Sequence, residues 1–249
     1  MSDVRVVTIA ERPDLVAAAE EVNLQGWPEF MFHDPVAGVH FGKLYDWFPE
    51  YQFVLVDSDE RVLVSGDAIP FRWDARIDQL PDRGWDFVLE QGVADREAGR
   101  EPNIVSAIQV VVRGDLLGTG FARRGLDAMR GIATAAGIAD LVAPVRPNAK
   151  HRYPLTPMER YVVWTRDDGT PFDPWMRVHH RAGAQVVGVC SRSMTITGSV
   201  QQWSRWTDMA FPDSGQYVVP GALVPVEIDR NADAGTYVEP NVWMHHRLT

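Results

Sequence analysis

Residues 110–122 read Val-Val-Val-Arg-Gly-Asp-Leu-Leu-Gly-Thr-Gly-Phe-Ala. This is an apolar β-branched run, a glycine-bearing turn and the start of a helix. That order sets unpaired backbone N–H groups and a helix N-terminus beside the end of a strand, which suits a phosphate or pyrophosphate. Glycines let such a backbone approach phosphate oxygens closely. Arg123 and Arg124 follow in the first helical turn, where cations oppose the helix dipole unless an anion sits nearby. They read either as neighbours of that anion or as solvated surface residues. A second candidate is His179. Trp175, Val178, His179 and Ala182 fall on one face at helical spacing, so the imidazole points inward. With an ordinary pKa of about 6.5 it could move a proton near neutral pH. Positioning of a ligand and a purely structural hydrogen bond are the alternatives.

Weaker candidates complete the set. Asn148, Lys150, His151 and Arg152 make a polar, basic loop that either contacts a ligand or is simply solvated. Cys190 ends an apolar stretch and reads as core. The doublets His179-His180 and His245-His246 do not read as metal ligands, because neighbouring side chains diverge on a helix and alternate on a strand. Trp203, Trp206, Phe211, Tyr217 and Trp243 make the C-terminal region aromatic. They read as a pocket wall, an interface or the core of an added piece.

The elements that must hold these residues follow from pattern. Residues 4–9, 52–56, 61–65, 104–112 and 138–145 read as strands. Helices are expected over 13–25, after the Asp34-Pro35 cap, over 121–136 and after Asp173-Pro174. Gly137 and Gly183 close the last two. Residues 73–103 read as an insertion with a short helix. Residues 146–172, with four prolines, read as a long irregular connection. Strands are expected again at 185–189 and 193–197, with strand-like pieces at 222–228 and 236–243. The layout is mixed α/β around one central sheet.

Composition bounds the function. The 249 residues are 45% hydrophobic and 23% charged, with a net charge of -10. That balance speaks against general binding to nucleic acid or to an anionic membrane. One cysteine rules out an intrachain disulfide and a cysteine-built metal site. No apolar run approaches a membrane span, and the charged N-terminus is unlike a signal peptide, so a cytoplasmic protein is expected. Monomer and homodimer both remain open.

The element order, with a glycine turn after the fourth strand, resembles the GNAT acyltransferase superfamily. In that family the turn follows Gln/Arg-x-x-Gly-x-Gly/Ala. Gly120 and Ala122 match its last two positions, Gly118 matches a glycine often found just before them, and Leu117 stands where Gln or Arg is usual. The resemblance spans about residues 4–198. It implies a central, mostly antiparallel sheet flanked by helices, with strands four and five splayed apart. A core over 1–198, with insertions near 73–103 and 146–172, would carry a C-terminal extension, 199–249, packed upon it.

The resemblance also implies a donor substrate, acetyl-coenzyme A or another acyl-coenzyme A, and a small-molecule amine as acceptor. The pyrophosphate would lie on residues 117–123 (Leu117, Gly118, Thr119, Gly120, Phe121, Ala122 and Arg123), with the pantetheine arm on backbone groups of Val110 and Val112. Asn148 would lie at the same edge. The family's thiolate-protonating tyrosine usually stands four residues before a Gly-Phe pair. Four before Gly183 stands His179. The family's base is often a carboxylate on strand four, which here carries only Ser106 and Gln109 as polar side chains. Asp67, just past the third strand, is the remaining candidate. These departures keep a second class open, a non-catalytic acyl-coenzyme A sensor or assembly protein on the same fold. Acyl transfer to a hydroxyl and decarboxylation are further options.

Overall fold

A computed structural model describes residues 4–248. Nine strands form one sheet: β1 (Arg5–Thr8), β2 (Phe53–Val56), β3 (Val62–Phe71), β4 (Ile104–Val112), β5 (Asp140–Val145), β6 (Gln185–Gly198), β7 (Gly215–Tyr217), β8 (Val226–Asp229) and β9 (Ala234–Arg247). The spatial order is β1-β2-β3-β4-β5-β9-β8-β7, with β6 also paired to β9. Every pairing is antiparallel except β4 with β5. The helices are α1 (Val16–Asn23), α2 (Pro35–His40), α3 (Lys43–Trp47), α4 (Gly84–Glu97), α5 (Phe121–Ala135), α6 (Met158–Tyr161), α7 (Pro174–Arg181) and α8 (Val200–Thr207). None is long and apolar enough to cross a membrane.

The feature that positions the site is the parallel pair. Only Val105 with Leu141 and Ser106 with Val142 are in register. Beyond them β4 and β5 diverge, and the edge of β4 from Ala107 onward faces a cleft instead of a partner. Helix α5 begins at the end of that cleft. Its apolar face, with Leu126, Met129 and Ala133 buried, seats on the sheet. Gly125 allows a close seat, since a Cβ there would lie 2.6 Å from Val110 Cγ1.

Several boundaries differ from the sequence reading. Strand β3 continues to Phe71, so Asp67 lies within it, not past it. The supposed short helix of 73–103 is the 14-residue α4, with Trp85, Val88, Leu89, Gly92 and Val93 buried. Those positions follow i, i+3, i+4, i+7, i+8 spacing, which the glycines and the charged run after it obscure. Segments 185–189 and 193–197 are one strand, β6, bent by register shifts. The boundary at 198 also fails to separate a core from a piece packed upon it. The region beyond it supplies β9, which sits between β5 and β6 and pairs with both. With hydrogen bonds to make on two edges and both faces covered, β9 is buried at every position from Glu239 to Met244, unlike the alternating pattern of a half-exposed strand.

Candidate active site

The turn between β4 and α5 leaves donors free. Gly118 and Gly120 hold φ of +77° and +91°, a region that suits glycine. Leu117 N–H donates to Gly114 O and Thr119 N–H to Leu116 O. The amides of Gly118, Gly120, Phe121 and Ala122 have no acceptor among the described residues. Four free N–H groups at the start of a 15-residue helix suit an anion such as pyrophosphate. Arg123 is committed elsewhere. Its Nε bonds Asp127 at 2.8 Å and its Nη1 donates to Arg181 O at 3.1 Å, tying α5 to α7.

From this turn a cleft of about 320 Å3 runs between β4 and β5. Val110, Val112, Leu117, Ala122, Asn148 and His179 line it, as does Arg146 at the end of β5. Gly118, Thr119, Gly120, Phe121 and Arg123 frame its approach without lining it. The unpaired edge of β4 and the free amides of the turn together fit the pantetheine and pyrophosphate of an acyl-coenzyme A.

A second cavity, about 350 Å3, opens between α1 and α2. The two share Trp27, Trp85, Gln109 and Met194 as walls, so they meet at Gln109. Register shifts between Asp67 and Ala68, so that Asp67 faces Gln109 while Ala68 faces Ala107. The extra β4 residue, Ile108, makes a bulge there, and a bulge re-aims the side chains beside it. Gln109 Nε2 donates to Asp67 Oδ2 at 2.6 Å, and Trp27 Nε1 donates to Gln109 Oε1 at 2.7 Å. Asn23 Nδ2 donates to Tyr45 Oη at 3.1 Å and to Asp67 Oδ2 at 3.4 Å. Burial raises the Asp67 carboxyl to about 6 against these hydrogen bonds. Asp67 lines neither cavity. It stands one side chain behind the junction.

His179 is buried, and its Nδ1 lies 2.9 Å from His246 Nε2. Sequence reasoning set the two histidine doublets apart. The fold brings one member of each together, because α7 packs across β9. Nδ1 of His246 has no partner. A buried orphan N–H is rarer than an orphan acceptor, which assigns the shared proton to His246 Nε2 and leaves Nε2–H of His179 as the free donor. Burial first, then the neighbouring His246, push the His179 pKa well below its ordinary value. The expectation of an imidazole titrating near neutral pH is thereby corrected: His179 is neutral there, a hydrogen-bond donor and not an acid carrying a spare proton.

Other candidates resolve plainly. Lys150 is not part of a solvated loop. Fully buried, its ammonium donates to the carbonyls of Tyr153 and Leu223 at 2.8 and 2.6 Å, which ties the 146–172 connection to the C-terminal region. Cys190 is buried, with burial pushing its thiol up to about 12, so it is no nucleophile. The sequence reading missed Trp27, Trp85, Arg146 and Glu239. Arg146 Nε bonds both carboxylate oxygens of Glu239 at 2.9 and 3.1 Å. No spacing signal joins four residues that lie on separate elements.

No protein-family model matches the chain. It is 34% identical over 271 residues to the arginine N-acetyltransferase avaD of Aspergillus versicolor, covering 97% of this chain and 93% of that protein. Two solved structures share the fold. The loading GNATL domain of CurA from Lyngbya majuscula superposes with a TM-score of 0.58 at 16% identity, covering 100% and 98% of the two chains. The GNAT-like decarboxylase GphF in complex with isobutyryl-CoA gives 0.57 at 17% identity, covering 99% and 100%. The chain belongs to the GNAT superfamily of N-acetyltransferases. It is an acyltransferase that moves an acyl group from acyl-coenzyme A to an amine.

Proposed function

We propose that the acceptor is arginine or a close cationic analogue, held in the cavity between α1 and α2 with its reacting amine at Gln109. The observation that carries this reading is the lining of that cavity. Trp27, Phe32, Phe41 and Trp85 offer aromatic faces, and Glu20 is its one ionisable lining residue among those described. Aromatic faces and a single carboxylate together suit a cation. The relative that acts on arginine, 34% identical, supports the same choice.

The cleft between β4 and β5 binds the donor through the free amides of Gly118, Gly120, Phe121 and Ala122 and through the backbone of Val110 and Val112. Leu117 and Asn148 contribute wall contacts. Nε2–H of His179 hydrogen-bonds the sulfur as negative charge develops there, acting as a neutral electrophile positioned by His246. Asp67 orients Gln109 and is a positioning residue, since it lines neither cavity. Gln109 in turn presents its carbonyl oxygen, already fixed by Trp27, where the two cavities meet.

The test is thiol release from acetyl-coenzyme A with a panel of amines. Arginine-dependent release supports the reading. Release only with neutral amines overturns the choice of acceptor, and binding without release for any amine overturns the assignment of His179 as part of a working site. His179→Ala and His179→Gln divide the chemistry further. The glutamine amide can offer a donor near the position of Nε2, so it retains most of the rate if His179 is a donor and loses it if His179 transfers a proton.

A further inference from the structure

Each cavity has ionisable groups in its wall: Glu20 in the one between α1 and α2, and the paired Arg146 and Glu239 in the donor cleft. Glu20, on the acceptor side, is exposed and makes no ion pair among the described residues. Arg146, on the donor side, is mostly buried, with 16% of its side chain exposed. Between them stands Trp27, which walls both cavities and holds the Arg146 guanidinium 5.8 Å from its ring centroid. We infer that Arg146 binds the α-carboxylate of an amino-acid acceptor, so that the α-amine of a cationic amino acid attacks the thioester: its N–C bond forms as the C–S bond breaks, and coenzyme A leaves as the thiol, carrying the proton that the amine gives up. This inference rests on the proposed acceptor class and fixes which nitrogen reacts.

The guanidinium is prepared for this. Its Nε is taken by Glu239 and its Nη2 by the carbonyl of Gly221 at 2.7 Å. Nη1 makes no hydrogen bond among the described residues and is not among the buried unpartnered atoms, and Arg146 lines the donor cleft. Glu239 does not compete for a ligand. Its oxygens also accept from Tyr237 Oη at 2.8 Å and Asn241 Nδ2 at 3.0 Å, and the residue is fully buried. A guanidinium held at Nε and Nη2 by two partners leaves Nη1 as the donor for an anion.

The span also agrees with the chemistry. In an α-amino acid the amine and the carboxylate leave the same carbon, so a carboxylate at Arg146 holds the amine beside Trp27 and Gln109. The side-chain cation then extends into the second cavity toward Glu20.

The experiment compares L-arginine with agmatine, which lacks the carboxylate, and with L-arginine methyl ester, in which it is uncharged. Product regiochemistry is read by NMR. The expected result is Nα-acetylarginine, with kcat/KM for L-arginine roughly 100-fold above either analogue, the scale of a lost charge-assisted pair. In Arg146→Lys, which keeps the charge but loses the fork, that preference narrows by about tenfold through KM. Agmatine accepted as well as arginine, or acylation on the guanidine, overturns the inference while leaving a cationic amine as acceptor. No turnover of any of the three, with another amine acetylated, overturns the acceptor class and the inference together.

Discussion

The two halves of the site are made of different materials. The donor half is backbone: four free amides and one unpaired strand edge, held in place by glycine conformations and by the splay of β4 from β5. The acceptor half is side chains: Trp27, Gln109 and Asp67 come from three separate elements or connections and are joined by hydrogen bonds, while Arg146, paired with Glu239, stands in the wall of the donor cleft. A backbone site tolerates exchange of most side chains around it and fails when its conformation fails. A side-chain site behaves the other way. The same fold can thus keep one donor and change its acceptor.

The sharpest way to break this contrast is Gly120→Val. At a φ of +91° a β-branched residue is strained by about 1–3 kcal/mol, and relief of that strain turns the free amides away. Binding of acetyl-coenzyme A, measured by calorimetry, should weaken by about 100-fold or more in a protein that still gives a native circular dichroism spectrum. Retained affinity would show that the turn does not hold the donor. On the other side, His179→Ala should lower kcat by about 100-fold, the scale of a lost preorganised donor, with the donor Kd within about twofold of wild type. A kcat that stays put in stopped-flow or steady-state assays removes His179 from the chemistry.

Smaller effects sharpen the picture. Trp27→Phe keeps the aromatic wall and removes the N–H that fixes Gln109, a loss of about 1 kcal/mol, so KM for the acceptor should rise about fivefold while donor affinity holds. A shift in donor affinity instead would mean that the halves are not separable. A buried carboxyl that lines neither cavity, Asp86, gives the fold a pH signature. Burial, with Asp34 nearby, raises Asp86 to about 8, above its unfolded value of about 3.9. A carboxyl raised on folding favours the folded state when protonated, so its contribution falls as pH rises from about 4 to about 8 and is constant above. Asp86→Asn removes this slope, and thermal melts across that range should show a flatter Tm profile. An unchanged slope would assign the pH dependence to other groups. The smallest effect is expected of Leu117→Arg, which adds a cation at a position 69% exposed. Donor affinity should rise about twofold at low ionic strength and return to wild type in salt.

That division also explains what the sequence made legible. The turn at 114–122, the strand before it and the amphipathic α5 are contiguous, and each position is constrained by local backbone geometry, so their local structure could be read residue by residue. The inward position of His179 follows from helical spacing, whereas its desolvation and its contact with His246 come from packing across the sheet. Asp67 was named as a base from its residue type; only the register against Gln109 shows that it stands behind the junction. Arg146 and Glu239, 93 positions apart, carry no local signal at all. The helical spacing in α4 was present but hidden by Gly84, Gly92 and the charged run that follows. The aromatic C-terminal region suggested an appendage, because strand-like residues near the end of a chain do not announce which neighbours they will pair with.

Strand β9 bears on how the molecule is made. It follows all the other described strands in the chain, yet it lies between β5 and β6 and carries Glu239 and His246, the partners of Arg146 and His179. Until residues 234–247 leave the ribosome, β5 and β6 have no shared partner, Arg146 has no counter-ion and His179 has no imidazole beside it. The sheet therefore closes only after translation of those residues, by long-range pairing of a kind that slows folding and leaves strand edges exposed to other chains. A nascent chain stalled short of residue 234 would hold the glycine turn but no finished cleft. Production of active enzyme should consequently be more sensitive to chaperone supply during synthesis than its folded stability would suggest.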